Sequence, residues 1–251
     1  MGDASLQENP VDLAGRPGGT LLQTLAQRVH AFEKGRLTKA SIVQAKACIL
    51  DTIGVILAGF PEPCTRILLK TPGVATAPGP ALIFGSARRT SALDAALVNG
   101  TASHALDFDD FSSIMHGHHS VPLVSTLLAL AEERGGTGED VIAAYVIGVE
   151  VEIRLARAVS SHHYDKGWHS TSTLGVFGAA AAACHLIKLD LASTTMALGI
   201  AASLASGLNA NFGTMTKPLH VGQAATVCSR PFWPRADSKP LPTFWKIRRV
   251  S

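Results

Sequence analysis

The sequence predicts an all-α fold, and three observations carry that prediction. Of 251 residues, 47 % are hydrophobic but only 6 % aromatic, and the apolar share comes from Ala, Leu, Ile and Val, a mixture that suits close-packed helices better than sheets. Apolar residues recur at helical spacing along most of the chain. Only Ala81-Leu82-Ile83-Phe84 reads as extended, and it is short.

Residues 1–19, ending in Gly15-Arg16-Pro17-Gly18-Gly19, read as a flexible leader. A first helix starts near Thr20, with Leu21, Leu22, Leu25, Val29 and Phe32 on one side. A second covers Lys39 to Gly59 and is apolar enough to be buried on more than one face; Pro61 and Pro63 end it. After a Pro/Gly-rich stretch, Ser91 to His104 resumes as a helix of small residues. Val121 to Arg134 follows, stopped by Gly135-Gly136, and Thr137-Gly138-Glu139-Asp140 caps a long helix reaching about Val159. Ala/Gly-rich helices over Ser170 to Leu186 and Leu191 to Leu208 allow close backbone approach, and Lys217 to Val227 forms the last.

At Cys228 the pattern breaks. Residues 228–251 hold four Pro, two Trp, six Lys/Arg and one acid, so this basic tail carries +5 while the rest of the chain sums to about −2, against a total of +3. The domain is expected over 20–227, with the tail foreign to it, as an altered reading frame or splice junction would produce. No basic stripe with interleaved aromatics calls for nucleic acid. No uninterrupted apolar run reaches membrane-spanning length. Four widely spaced cysteines and the lack of a signal peptide fit a cytoplasmic protein, a mitochondrial one being compatible too.

The chemistry concentrates between Ser103 and His119, where His104, Asp107, Asp109, Asp110, His116, His118 and His119 interrupt an apolar sequence. Such groups are costly to bury without partners, so they line a wet cleft or bind something. Asp107 and Asp109 would share a side of an extended loop, or Asp107 and Asp110 a helical face; either pairing raises one carboxyl toward general-base range, whereas a solvated, helix-capping role raises neither. His116, His118 and His119 beside aspartates could bind zinc or iron, although their spacing fits no established metal motif. His169, in Gly167-Trp168-His169-Ser170-Thr171, stands at a turn into a helix, either to meet an anion or simply to cap it. Lys217, beside Pro218 and near His220, is a point charge suited to a carboxylate or a plain surface lysine.

Three segments together resemble the MmgE/PrpD family: Asp107-Phe108-Asp109-Asp110 followed by His118; Trp168-His169 ahead of Ser172-Thr173-Leu174-Gly175; and Gly213-Thr214-Met215-Thr216-Lys217-Pro218-Leu219-His220-Val221-Gly222. Leu50-Asp51-Thr52-Ile53-Gly54 also fits, and the similarity covers about residues 20–227. The resemblance implies a large helical domain and a smaller α/β lid with the site between them, a homodimer, and cofactor-independent, metal-free lyase chemistry on a small polycarboxylate such as 2-methylcitrate or cis-aconitate. It places Asp107, His118, His169 and Lys217 at active-site positions; the expectation is that Asp107 or His169 handles the proton while His118, Lys217 and His220 hold substrate. Several members have a threonine after the acidic motif, where this chain has Phe111. The likeness stops before the lid and the further histidine the lid supplies. The expected function is therefore a dehydratase or decarboxylase, with a truncated domain that dimerises or binds carboxylates without turnover as the alternative.

Overall fold

The computed structural model describes residues 20–227, so the expected leader and basic tail lie outside the described residues. The structure is 68 % helical, with one two-stranded hairpin, and the all-α expectation holds. Helix α1 (Leu21–His30) opens with a capping box: Thr20 Oγ1 accepts from the Gln23 N–H, and the Gln23 side chain accepts from the Thr20 N–H. Helix α2 (Lys39–Gly59) is capped by Thr38. Its 21 residues are long and apolar enough to span a membrane by length and composition, although no uninterrupted apolar run in it is that long. Lys46 and Asp51 interrupt the run without shortening the helix, which packs on three others described below.

Helix α3 (Pro63–Lys70) was not anticipated, since the two prolines were read only as a stop. Pro63 instead sits at the start of the new helix, where a missing N–H costs nothing, and the Thr65 hydroxyl donates to the Gly59 carbonyl. Strands β1 (Ala81–Leu82) and β2 (Arg89–Thr90) pair antiparallel, Ala81 with Thr90 and Leu82 with Arg89. Helices α4 (Ala92–Ser103), α5 (Ser120–Arg134) and α6 (Gly138–Asp165) follow the expected order. Ser91 caps α4, Gly135 in the left-handed region ends α5, and a Thr137/Asp140 box opens α6. Helix α6 continues past Val159, so His162 and His163 lie on its last turn rather than after it.

The expected Ser170 to Leu186 helix is broken into α7 (Ser170–Thr173) and α8 (Gly175–Leu186). The Thr173 hydroxyl bonds back to the His169 carbonyl, a contact that competes with regular helix geometry. Helix α9 (Leu191–Leu204) ends earlier than expected because Ala205 turns extended and Gly207 takes φ 120°, a conformation side chains resist. The strand-like piece that follows carries Gly207 O to the His169 N–H and the Asn209 N–H to Gly167 O, pinning the turn before α7. Helix α10 (Thr216–Ala225) completes the bundle.

Helix α8 is the central rod, with Ala179 to Ala183 fully buried, surrounded by α5, α6 and α9. Leu123, Leu127 and Leu130 of α5, Tyr145, Ile147 and Val151 of α6, and Leu198 of α9 fill the core around it. Helix α2 lies on α4, α5 and α6. The crossing that matters most for the site is α4 on α10. A Cβ on Gly222 would lie 2.3 Å from Thr101 Oγ1 and 2.5 Å from Leu97 O, and one on Gly100 would lie 3.0 Å from Gly222 Cα. Only glycines allow these backbones so close, and the crossing sets the start of α10 beside the loop that leaves α4.

Candidate active site

The loop between α4 and α5 holds the polar island. His104 is the C-cap of α4 and fully buried; the chain then turns through Asp107, whose φ of 54° is in the left-handed region. A non-glycine residue there costs on the order of 1 kcal/mol, a strain most often kept at functional sites. The buried Asp109 carboxylate lies under two imidazoles. His104 Nδ1 is 2.8 and 3.0 Å from its two oxygens, and His118 Nδ1 is 3.0 Å from Oδ2. An ionised carboxylate only accepts, so both rings carry their proton on Nδ1 and turn Nε2 away from Asp109.

Both Nε2 atoms point toward Asp107 Oδ1, at 3.5 Å from His118 and 4.0 Å from His104. From the start of α10, Lys217 Nζ donates to that same oxygen at 2.5 Å and sits 4.9 Å over the Phe212 ring. Phe212 also meets His169 edge-on at 4.9 Å, and His169 stacks 5.6 Å from His104. Asp107, His118 and Lys217 thus meet at the opening marked by the exposed Asp107 carboxylate, and the buried His169 is joined to them through His104 and Phe212. His220 closes the group: its Nδ1 is 3.2 Å from His169 Nδ1, so one ring must donate and the other accept. His104 Nε2 and His169 Nε2 are buried with no hydrogen-bond partner among the described residues.

These contacts set the charges. Burial alone would raise the Asp109 carboxyl, but hydrogen bonds from His104 and His118 outweigh it and hold it well below the usual range. Asp107 is likewise lowered: burial opposes, while the hydrogen bond and charge of Lys217, then His104 and His118, prevail. The expected upward shift from paired carboxylates is therefore overturned, because imidazoles and an ammonium separate them. His118 is raised, Asp109 and Asp107 overcoming burial. His169 is depressed to about 2 by burial first, then by His104, His220, Lys217 and His118. The free site therefore offers a cationic lysine, a histidine inclined to protonate, and a neutral histidine whose Nε2 is unsatisfied.

The remaining residues of the island go elsewhere. Asp110 accepts from the Ser120 backbone N–H and hydroxyl, capping α5, and lies 3.4 Å from His119 Nε2. His116 turns to Tyr164, its ring centroid 5.9 Å away. The three histidines read as a metal set are therefore divided among three environments. Donor atoms of His104, Asp107, Asp109 and His118 do lie within 4.8 Å of one another, as do those of Cys48, Asp110 and His119. In the first group Asp109 is committed to two N–H donors and Lys217 already supplies the cation at Asp107. Sequence reasoning placed His104 in the polar island without a role and weighed Asp109 only as a carboxylate paired with Asp107, not as the acceptor that orients two imidazoles, and Phe212 carried no signal of its own.

This helical fold, with its lysine, histidines and buried carboxylate around one opening, is that of a known class. The profile of the MmgE/PrpD N-terminal domain matches residues 23–232, and the chain belongs to that family. Its relatives include human cis-aconitate decarboxylase, 34 % identical over 211 residues, covering 82 % of this chain and 44 % of that protein. The mouse enzyme is 32 % identical over 211 residues (82 % and 43 %), and that of Aspergillus terreus 31 % over 189 residues (72 % and 39 %). The chain spans less than half the length of these relatives.

Proposed function

We propose that this chain supplies the helical half of a cofactor-independent lyase acting on a small di- or tricarboxylate, with cis-aconitate the leading substrate and decarboxylation the leading reaction. The observation that carries the reading is the convergence of Lys217 and His118 on Asp107 Oδ1, with the buried, orphaned His169 Nε2 in the ring cluster joined to them through Phe212 and His104. Lys217 and protonated His118 bind two carboxylates by charge-assisted hydrogen bonds. Loss of carbon dioxide leaves the bond's electron pair conjugated with a remaining carboxylate, and the same cations stabilise that dienolate. A proton must then reach carbon. His118, inclined to protonate, or His169, once substrate anions offset its cationic neighbours, delivers it. Asp107, held ionised, tethers Lys217 in the free site. Dehydration of 2-methylcitrate would use the same anchors.

Exposed apolar residues form a rim in sequence about these groups: Phe108 and Phe111 flank Asp109 and Asp110, Trp168 precedes His169, and Met215 stands two before Lys217. Such a rim fits coverage by a lid of the kind the family carries, and assembly as a homodimer is part of the same reading. A second reading is binding without turnover, since the same cationic anchors would hold a carboxylate whether or not a reaction follows. Incubating the purified chain with cis-aconitate and with 2-methylcitrate separates the two. Turnover abolished by Lys217→Ala supports the lyase, whereas saturable binding with no product at high protein concentration supports the binder.

A further inference from the structure

One face of α2 has no partner among the described residues and a pattern that specifies one. Val43, Leu50 and Leu57 are 60 %, 71 % and 48 % exposed, and Ala47 and Gly54 between them are exposed as well. The five follow one another at spacings of four, three, four and three, the period that keeps a single seam facing another helix. Large and small residues alternate along it, and a Cβ on Gly54 would meet nothing within 4 Å. The opposite face already buries Ala45, Cys48, Thr52, Val55 and Ile56 in the bundle. A surface helix needs only one apolar face, so the second asks for an occupant.

We propose that the occupant is a second copy of this chain, its α2 running antiparallel to the first, with the Val43–Leu57 seam at the twofold axis. The inference deepens the homodimer reading above by naming its surface. An antiparallel alignment sets Val43 over the partner's Gly54 and Leu50 over the partner's Ala47, so each large side chain meets a small one. The same alignment sets exposed Lys46 against the partner's Asp51, twice by symmetry. A parallel alignment would instead stack Leu50 on Leu50 and Lys46 on Lys46, ridge on ridge and charge on like charge. On the buried face of the same helix, Cys48 Sγ lies within 4.8 Å of donor atoms of Asp110 and His119, so the seam runs close behind the polar island.

Sedimentation velocity on the full chain tests this, with circular dichroism confirming that each surface variant keeps its helices. The wild type is expected to be a dimer, and Leu50→Glu or Lys46→Glu to raise its dissociation constant by about tenfold or more. Lys46→Glu combined with Asp51→Lys should restore it, which a merely disruptive substitution would not allow. A Val43→Cys, Gly54→Cys double variant should form a disulfide-linked dimer on mild oxidation, and Val43→Cys alone should not. A monomeric wild type would overturn both the seam and the homodimer. A dimer indifferent to Leu50→Glu and Lys46→Glu, or cross-linked by Val43→Cys alone, would overturn the antiparallel seam while leaving dimerisation intact.

Discussion

Asp109 holds His118 by Nδ1 at 3.0 Å, and in doing so decides that His118 faces the opening with Nε2. The carboxylate is buried and serves His104 in the same way. Removing its charge leaves the buried His104 with at best a neutral amide acceptor, and the half-buried His118 with that and the Asp109 backbone carbonyl, 3.3 Å from its Nδ1. Asp109→Asn should cost about 3 kcal/mol in urea denaturation, as breaking a buried ionic pair usually does. Because the Asp109 carboxyl is lowered in the fold, its contribution is full above the ordinary carboxyl pKa and fades as pH falls through its folded value. The wild type should therefore lose its advantage over the variant only in acid, and equal stability at neutral pH would refute the assignment.

Lys217 and Asp107 should behave differently. Their ion pair has a largely exposed carboxylate, so Lys217→Ala is expected to shift stability by less than about 1 kcal/mol. Its effect on carboxylate binding should be far larger, at least about tenfold, since a charge-assisted contact is lost. Calorimetric titration with cis-aconitate measures one quantity and thermal unfolding the other. Equal affinity in the variant would remove Lys217 from the site.

Binding should also move protons. His169 is kept neutral by burial and by cationic neighbours. A polyanion bound among those neighbours reverses their influence and raises its pKa. Titrations in buffers of different ionisation enthalpy should show net proton uptake at neutral pH, diminished in His169→Gln. Unchanged uptake in that variant would place the proton elsewhere.

Glu152 gives a stability prediction away from the opening. It is fully buried, neither oxygen has a hydrogen-bond partner among the described residues, and burial, then Asp110, raises its pKa well above 4.5. The folded chain keeps a proton that the unfolded chain releases above that value, so this group makes stability fall as pH rises. Glu152→Gln should raise the melting temperature at neutral pH and above, with the difference vanishing near pH 4 on that linkage. A variant less stable at neutral pH would show the carboxyl to be ionised and paired.

The α4/α10 crossing can be tested directly. A Cβ at Gly222 collides with Leu97 O, so Gly222→Ala should destabilise by roughly 1–3 kcal/mol through overpacking. It should also weaken carboxylate binding, because Lys217 rides on the displaced helix. Chelation supplies a separate check: EDTA treatment is expected to leave binding and any turnover unchanged. Loss that zinc or iron restores would instead assign His104, His118 and Asp107 to a metal.

Much of the helical order was legible because it is local. Thr20, Ser91 and Thr137 are capping residues that mark helix starts wherever they fall, and Gly135 ends a helix because only glycine adopts its backbone angle freely. The limits misread were those set by distant partners. Helix α9 stops at Leu204 because its continuation pairs with the turn before His169, and α3 exists despite two prolines.

The site divides along the same line. The sequence alone marked where polar residues cluster in an apolar chain, and its motifs marked Asp107, His118, His169 and Lys217. Their charges were decided by packing: pairing was expected to raise one carboxyl of the acidic motif, yet Asp107 is lowered, because Lys217, 110 positions away, arrives over it on a glycine crossing. Residue identity fixes what a group can donate or accept. Which partner it meets, and how much water is left around it, depends on contacts between segments far apart in the chain.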